Sequence, residues 1–387
     1  MSQQPYLVAE IRSRTEPLPE GQRVPFEWDC SPIGKEGTLP PATLTWDQKV
    51  GLRGKSRLRL TVGIDVRETK RISVLSGATQ KNLGEFDIRY APVFQTFEIF
   101  LSEEQTALAL SEGAILQMTE GNRALWVFNG KSGTTSVPEV LRPHLLMEES
   151  EAGHSPKSLD GFLRQMASLA SIQPFGWMEG CVLDGLLDLE ECFPGQGFRE
   201  SAKAHLDLFI QKNGALIYEG PKSNPLDGSL ASIEETLMAA FIARFFPGHP
   251  SIQIIKDFWA SQRTADGAIL DHGLLSAEGS YTIGYPLAVL SLFEKSEILA
   301  HWALDQVRAR QKGLVVGETI YLRLHADGTR SFPNWSRGVA WYFLGLVRTL
   351  GVLGKRDDVS DLLGECRRLS AWLLSKRNSE NLWNCFI

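Results

Sequence analysis

A repeated alternation of paired helical segments dominates the second half of the chain and most constrains its fold. From Leu159 onward the apolar residues recur at helical spacing, and four pairs of segments follow. In each pair the first segment is rich in small and aromatic residues, and the second is more charged. Helical hairpins that curl into a ring place the crowded set inside and the charged set outside. We therefore predict an (α/α)6-toroid-like domain over residues 158–387, with an open helical solenoid as the alternative.

The front of the chain follows a different period. Up to about residue 135 the apolar residues alternate or form short β-rich runs separated by turn residues. Seven or more short strands at this spacing predict a β-sandwich over residues 1–135. The segment 102–113 fits either a short helix or a strand with a turn. Residues 136–157 are polar and predict a linker, so the expected class is a multi-domain β plus α protein.

Composition excludes several classes of function. The net charge of -6 argues against bulk nucleic-acid binding, which needs a concentrated basic face. No run is long and apolar enough for a membrane span, and the first residues lack a secretion signal, so we expect a cytoplasmic protein with no membrane partner. The five cysteines lie far apart without metal-ligand spacing, which predicts reduced thiols and no metal site. No phosphate-binding or dinucleotide fingerprint is present, so no cofactor is expected.

One run, from Asn334 to Gly345, is more specific than the rest. It reads NWSRGVAWYFLG and opens a predicted helix. Arg337 at a helix amino terminus combines a fixed positive fork with free backbone N–H groups, which suits a carboxylate. Trp335 and Trp341 are six residues apart, close enough to flank one cavity. The run resembles the W-x-R-G-x-x-W-x-x-x-G signature of glycoside hydrolase families 105 and 88, the unsaturated rhamnogalacturonyl and glucuronyl hydrolases.

Other segments follow in the order of that family. They are Trp177-Met178-Glu179-Gly180 at the first inner helix, Ser232-Ile233-Glu234-Glu235 at the second, Arg263-Thr264 with Asp266-Gly267 and Asp271-His272 before the third, and His325-Ala326-Asp327-Gly328 before the tryptophan-rich run. The resemblance extends from about residue 165 to the end. It implies that Glu234 takes the place of an active-site Asp, with a longer side chain.

Two departures from the family pattern bear on function. The family's third inner helix carries a catalytic Asp, and the matching run here, Tyr281 to Leu287, has Ile283 at that position. Isoleucine cannot donate a proton, so another carboxylate acts, the chemistry differs, or the site binds without catalysing. The chain also has four hairpins where the family has six, so we expect an incomplete toroid. A second chain could close it, which makes a homo-oligomer one expected arrangement.

The resemblance implies a bacterial enzyme of polysaccharide degradation that removes a terminal unsaturated uronic acid from oligosaccharides. Hydration of the C4=C5 bond needs a carboxyl group of raised pKa, an Arg for the uronate and stacking aromatic rings. The catalytic candidates are Glu234, with Asp271 or His272 as helper. The substrate-binding candidates are Arg337, Trp335, Trp341, His325, Trp177 and Tyr281. The alternatives are an ordinary glycosidase, with Glu179, Glu234 and Asp266 as candidate acids, a sugar epimerase, or a non-catalytic glycan-binding protein.

In the front domain, Trp28, Trp46 and Trp126 either stack on sugar or fill a core, and we favour the core.

Overall fold

A computed structural model describes residues 6–35, 37–47, 54–130, 137–147, 159–211 and 213–387. The chain divides into two compact units. The first comprises Met1–Pro174, Val182–Phe209 and Ile217–Asp227, and the second comprises Phe175–Cys181, Ile210–Leu216 and Gly228–Ile387.

The first unit is rich in antiparallel strands. Its strands are β1 (Tyr6–Val8), β2 (Glu10–Arg12), β3 (Cys30–Ile33), β4 (Ala42–Thr45), β5 (Ser56–Thr61), β6 (Thr69–Ser76), β7 (Asn82–Arg89), β8 (Thr96–Leu101), β9 (Ala114–Glu120), β10 (Leu125–Phe128) and β11 (His144–Met147). They form a four-stranded sheet in the order β1-β11-β5-β8, a five-stranded sheet in the order β2-β4-β9-β6-β7, and the pair β10-β3.

Both larger sheets contribute side chains to one hydrophobic cluster. Along β6 every second residue is buried, because successive side chains of a strand point to opposite faces. Leu44 and Val74 reach the cluster from the five-stranded sheet, and Leu58 and Ile99 reach it from the four-stranded sheet. The strand content predicted for the front of the chain is therefore present. Trp28, Trp46 and Trp126 are at most 6% exposed and belong to the interior, as expected.

The undecided segment 102–113 is a helix, α1 (Glu103–Glu112). Ser102 accepts a hydrogen bond from the backbone N–H of Gln105, and the Gln105 side chain accepts one from the Ser102 N–H. This reciprocal capping satisfies two donors that the first helical turn leaves free, which favours a helix over a strand here.

The stretch predicted as a linker contains ordered structure in its first part. Residues 137–147 include a 3-10 turn, Glu139–Leu141, and β11, which pairs with both β1 and β5. The sequence did not reveal this strand because its four residues, all buried, are too short a run to show a period. The rest of that stretch, 148–157, and residue 136 lie outside the described residues.

Three helices complete the first unit, and six belong to the second. They are α2 (Leu159–Met166), α3 (Trp177–Cys192), α4 (Phe198–Phe209), α5 (Ala239–Phe245), α6 (Pro250–Ser261), α7 (Tyr285–Phe293), α8 (Glu297–Leu314), α9 (Ser336–Leu353) and α10 (Ser360–Ser375). The first turn of α3 falls in the second unit. The four predicted pairs are all helical, as α3/α4, α5/α6, α7/α8 and α9/α10. No helix within the described ranges has the length and apolar character needed to span a membrane.

The second unit also holds a small sheet that the sequence reading did not predict. It is built from β12 (Leu275–Ser276), β13 (Val315–Val316), β14 (Thr319–Leu324) and β15 (Arg330–Pro333). Strands β14 and β15 form a hairpin, and their connection carries His325. The hairpin leads directly into α9, and so it positions the start of the tryptophan-rich run.

Glycines allow two close approaches that shape the second unit. A Cβ on Gly345 of α9 would lie 2.1 Å from the carbonyl carbon of Ser280, so these backbones are in direct contact. A Cβ on Gly180 of α3 would lie 2.4 Å from a methyl carbon of Leu237. Both glycines come from the family-like motifs, and each has a packing reason that is independent of catalysis.

Candidate active site

The second unit brings Glu234 and Glu235 to the start of a helix. A 3-10 turn, Glu235–Met238, leads straight into α5. Glu235 accepts hydrogen bonds from the Ser232 backbone N–H at 2.7 Å and from its hydroxyl at 3.0 Å. The hydroxyl of Ser232 in turn accepts from the N–H of Glu234 at 3.1 Å. Glu235 is thereby committed to the turn, whereas the Glu234 carboxyl has no hydrogen-bond or ion-pair partner among the described residues.

Glu234 lies in an acidic and largely water-excluded setting. Burial raises its pKa to about 7, and the negative charges of Glu235, Glu278 and Asp271 add to the rise. The positive charge of Arg337 opposes it. Near neutral pH, a carboxyl group with this pKa is divided between its acid and base forms, which is the condition for general acid–base work.

Asp271 and His272 lie in a tight turn next to Glu234. Asp271 and Leu274 exchange both backbone hydrogen bonds at 2.8 Å, and His272 has a positive φ of 48°. The Asp271 carboxylate accepts a hydrogen bond from the Ile233 N–H at 3.3 Å, which joins this turn to the segment before Glu234. The imidazole of His272 lies 4.0 Å from Asp271, and its side chain is 72% exposed. The structure therefore brings Asp271 beside Glu234 and directs His272 toward solvent.

An arginine and two tryptophans form a second cluster. The Arg337 guanidinium lies 5.4 Å from the ring centre of Trp177 and 5.5 Å from that of Trp335. Both distances are typical of cation–π contacts. The arginine itself is exposed, and its charge acts on Glu234. A cation held between two indole rings, near a carboxyl group, can receive an anionic ring compound.

Two other residues that were predicted to bind the sugar, Trp341 and Tyr281, are packed in the protein interior. The ring of Trp341 lies edge-on to Trp177 at 5.3 Å and stacks on Tyr281 at 5.8 Å. Tyr281 also stacks on Tyr285 at 5.7 Å. Trp341 is 8% exposed and Tyr281 is 1% exposed. Their rings therefore support Trp177 from behind and offer little surface to a ligand.

His325 lies apart from the acidic cluster. It sits at the end of β14 and shares a hydrogen bond of 3.0 Å with the Ser331 hydroxyl across the hairpin. Among the described residues no contact joins His325 to Glu234 or Arg337. The hairpin bond gives this histidine a structural partner, and its role toward a sugar stays a prediction.

Ile283 is fully buried in a π-helical turn, Ser280–Gly284. The neighbouring carbonyl of Thr282 accepts a hydrogen bond from the Thr236 hydroxyl at 2.6 Å, which joins this turn to the helix that Glu234 precedes. The position that carries an acid in the family is thus apolar and sealed. Position 283 therefore supplies no proton donor.

The sequence reading missed Arg310, on α8. Its side chain is fully buried, and it donates to the carbonyls of Ser276 at 2.8 Å and Ile269 at 2.9 Å. Burial lowers its pKa to about 9, against the negative charges of Glu278 and Asp271. The arginine therefore holds both ends of the segment that carries Asp271. A charged residue on an outer helix normally indicates a solvated face, so no local signal distinguished it.

Two acids that might have made a glycosidase pair do not enter this cluster. Glu179 is fully buried in the first turn of α3. Asp266 is exposed in a turn, where the Thr264 hydroxyl lowers its pKa. Across the described ranges, no three His, Cys, Asp or Glu side chains are arranged to hold a metal ion.

Comparison with solved structures shows that the fold resembles that of a family 105 glycoside hydrolase. A glycoside hydrolase of family 105 from Clostridium acetobutylicum matches with a TM-score of 0.50 and 16% identity, over 59% of this chain and 67% of that enzyme. A possible family 105 member from Salmonella enterica matches with a TM-score of 0.49 and 14% identity, over 62% and 72% of the two chains. An unsaturated glucuronyl hydrolase from Bacillus sp. GL1 gives 0.39 and 16%, over 53% and 58%.

No protein-family model and no curated protein matches the chain. At these identities the likeness concerns the fold alone. The resemblance to family 105 enzymes, inferred from short motifs, is confirmed at the level of the fold. The chain spans about two thirds of the length of the first of these enzymes.

Proposed function

We propose that this protein is a carbohydrate-active hydrolase that removes a terminal unsaturated uronic acid from an oligosaccharide. One observation carries the proposal: the Glu234 carboxyl has no hydrogen-bond or ion-pair partner in the part of the chain that the structure describes, and its pKa is about 7. A group that is half protonated at neutral pH can donate a proton to substrate and later recover it. The fold likeness to family 105 enzymes supports the class of substrate.

The proposed reaction adds water across the C4=C5 bond of the unsaturated ring. The Glu234 proton adds to C4, and the π electrons form the new C–H bond. The oxocarbenium ion left at C5 is attacked by water, whose released proton returns to the Glu234 carboxylate. The resulting hemiketal opens by breaking the C5–O5 bond, with its hydroxyl proton passing to O5, and leaves a ketone at C5 and a hemiacetal at C1. Collapse of that hemiacetal breaks the C1–O bond to the next sugar, which takes the hydroxyl proton and leaves as an alcohol, and C1 becomes an aldehyde. Asp271 keeps the local charge negative and favours the positively charged intermediate.

Arg337 is the proposed partner of the uronate. Its guanidinium presents two parallel N–H donors, which match a carboxylate. Trp177 and Trp335 flank this guanidinium and offer apolar faces to a pyranose ring. His272 and His325, from exposed and half-buried positions, are proposed to contact more distant parts of the oligosaccharide.

The test follows loss of the ultraviolet band of the conjugated uronate on lyase-generated oligosaccharides. Glu234→Gln keeps the shape and removes the proton, so we expect kcat to fall by about 100-fold or more. Arg337→Ala is expected to raise KM. Arg367→Ala removes an exposed arginine from α10 and should change neither constant. No decay of the band with folded protein, across pectin, glycosaminoglycan and ulvan fragments, would refute the proposal.

A second candidate, glycan binding without catalysis, is favoured by the sealed Ile283. It predicts that unsaturated oligosaccharides bind without loss of their band, and that Arg337→Ala weakens this binding while Glu234→Gln does not. An ordinary glycosidase would instead release reducing sugar from saturated oligosaccharides. The three outcomes use the same protein samples and exclude one another.

We also propose that the sheets of the first unit form a sandwich, as predicted for residues 1–135, with β11 extending it to Met147. Two sheets that supply one hydrophobic cluster support this arrangement. Trp28, Trp46 and Trp126 occupy interior positions, so they do not form an exposed aromatic row for a long glycan.

A further inference from the structure

A cavity of about 520 Å³ lies within the first unit and shares no lining residue with the candidate active site. Four chain segments line it: residues 19–22, residues 64–70, residues 122–126, and Lys222. The volume falls in the range of about 300–1,000 Å³ typical of small-molecule sites. It is therefore large enough for a sugar unit rather than for a single ion.

One carboxylate holds two of these segments together. Glu68 accepts hydrogen bonds from the backbone N–H of Asn122 at 3.1 Å and of Arg123 at 3.0 Å, and from the Asn122 amide at 3.1 Å. Burial raises the pKa of Glu68, but the ammonium of Lys70 and these N–H donors outweigh it and bring the pKa to about 2. The turn that carries Arg123 is thus fixed in place before any ligand arrives.

Two ion pairs account for four of the charges that line the cavity. Lys70 is 2% exposed and donates to Glu68, and Arg67 lies 2.6 Å from Asp65. A third segment is tied in by the Asp65 N–H, which donates to the hydroxyl of Ser223 at 2.9 Å. These pairs are internally compensated, so they contribute shape and hydrogen-bonding groups with no net charge.

Two cations remain uncompensated. Arg123 and Lys222 are exposed, and neither side chain has a hydrogen-bond or ion-pair partner among the described residues. Burial is the main cause that lowers the pKa of Lys70, and the positive charge of Arg123 lowers it further. Positive charge is therefore in excess around this cavity, even though the whole chain carries a net charge of -6. An anion entering the cavity would relieve that excess.

We propose that this cavity is a binding site for an acidic sugar residue, whose carboxylate is held by Arg123 and Lys222. Gln22 and Asn122 line the cavity and supply amide groups for hydroxyls, and Trp126 is also part of the lining. Carboxylates suit arginine and lysine, and hydroxyls suit amides. The choice of a sugar rests on the proposed function, whereas the choice of an anion rests on the cavity itself.

The test is calorimetric titration with saturated trigalacturonate. This ligand lacks the C4=C5 double bond, so the proposed hydration cannot consume it, and its binding can be measured whether or not the protein catalyses that reaction. All proteins carry Arg337→Ala, which weakens the other proposed uronate site. We expect one binding event in this parent, weakened roughly tenfold or more by Arg123→Ala with Lys222→Ala, because two charged contacts are lost. The matched control, Lys35→Ala with Lys55→Ala, removes the same charge from exposed lysines of the same unit and should bind like the parent.

The methyl ester of the same trisaccharide tests the charge directly. It keeps every hydroxyl and loses the carboxylates, so it should bind at least tenfold more weakly. Equal affinity for acid and ester, no binding to the parent, or unchanged affinity in the Arg123 and Lys222 double variant would each overturn the proposal. Because both side chains are exposed, an unchanged thermal midpoint is expected and shows that the double variant is folded.

Discussion

The raised pKa of Glu234 predicts a stability effect that needs no substrate. Its pKa rises from 4.5, the ordinary value for Glu, to about 7 in the folded protein. At 1.36 kcal/mol per unit, this corresponds to about 3 kcal/mol. The folded state holds the proton more tightly than the unfolded state, so ionisation of Glu234 costs stability. That cost is absent below pH 4.5, grows as pH rises to about 7, and is complete above it.

Glu234→Gln removes the ionisation and keeps the shape. We therefore expect the variant to be more stable than the parent at pH 8, by about 2 to 3 kcal/mol, since solvent reaches part of this side chain and reduces the full value. At pH 4 both side chains are neutral, and the two proteins should differ by less than about 1 kcal/mol. The measurement is urea unfolding at both pH values, followed by tryptophan fluorescence.

The matched control is Glu380→Gln, which changes an exposed glutamate of the same unit. It should alter stability by less than about 0.5 kcal/mol at either pH. The reasoning is refuted if Glu234→Gln destabilises the protein at pH 8, or if its effect is the same at both pH values. Either result would mean that Glu234 is ionised without cost, and it would remove the basis for its role as an acid.

Three further predictions concern the surroundings of this site. In urea unfolding, Gly345→Ala should destabilise the protein by about 3 kcal/mol or prevent folding, because the new methyl group would meet the backbone of Ser280. The control, Gly351→Ala on the same helix, places its methyl group in open space and should stabilise the protein by up to about 1 kcal/mol. Arg310→Met should cost about 3 kcal/mol or more in the same assay, since it leaves buried carbonyls unsatisfied; a cost below about 1 kcal/mol would contradict this. If hydration activity is found, its decline with rising pH should centre near 7. Glu278→Gln should move that decline to lower pH, because it removes a negative charge that raises the pKa of Glu234. An unmoved profile would show that Glu278 does not set this pKa.

The sequence predicted the helices of the second unit better than their surroundings. Helical periods are local, so the paired segments could be read directly, as could the helix that begins in the tryptophan-rich run. The strand β11 was missed because its partners, β1 and β5, lie far away in sequence. The hairpin β14-β15 was missed because the pairing of short strands depends on their context more than on a local pattern. The helix α1 was ambiguous until its capping pair, Ser102 and Gln105, was seen in place.

The candidate site was predictable where a motif carried it. Glu234 and Arg337 were chosen through the resemblance to the family motifs, and in the structure the charge of Arg337 lowers the pKa of Glu234. Tyr281 and Trp341 were assigned to the sugar because aromatic residues near an inner helix suggest stacking, yet burial gives them a packing role. Arg310 was missed for the converse reason, since its burial depends on the space left by Gly279, where a Cβ would lie 1.9 Å from the guanidinium. No local pattern encodes such a contact.

The apolar residue at position 283 and the raised pKa of Glu234 have a common physical explanation. An acid at 283 would be fully buried, in the turn whose backbone bonds to Thr236. Glu234 starts from the segment bonded to that turn, has a longer side chain, and stays partly open to solvent. Burial and three neighbouring acids keep it half protonated at neutral pH, while Arg337 keeps the pKa from rising further. We therefore propose that a proton donor lost from one turn is supplied from its neighbour without a change of fold. If this is correct, Ile283→Asp should leave the pH profile of any hydration activity unchanged, because full burial raises the pKa of the new carboxyl and keeps it neutral; a displaced profile would refute the exchange.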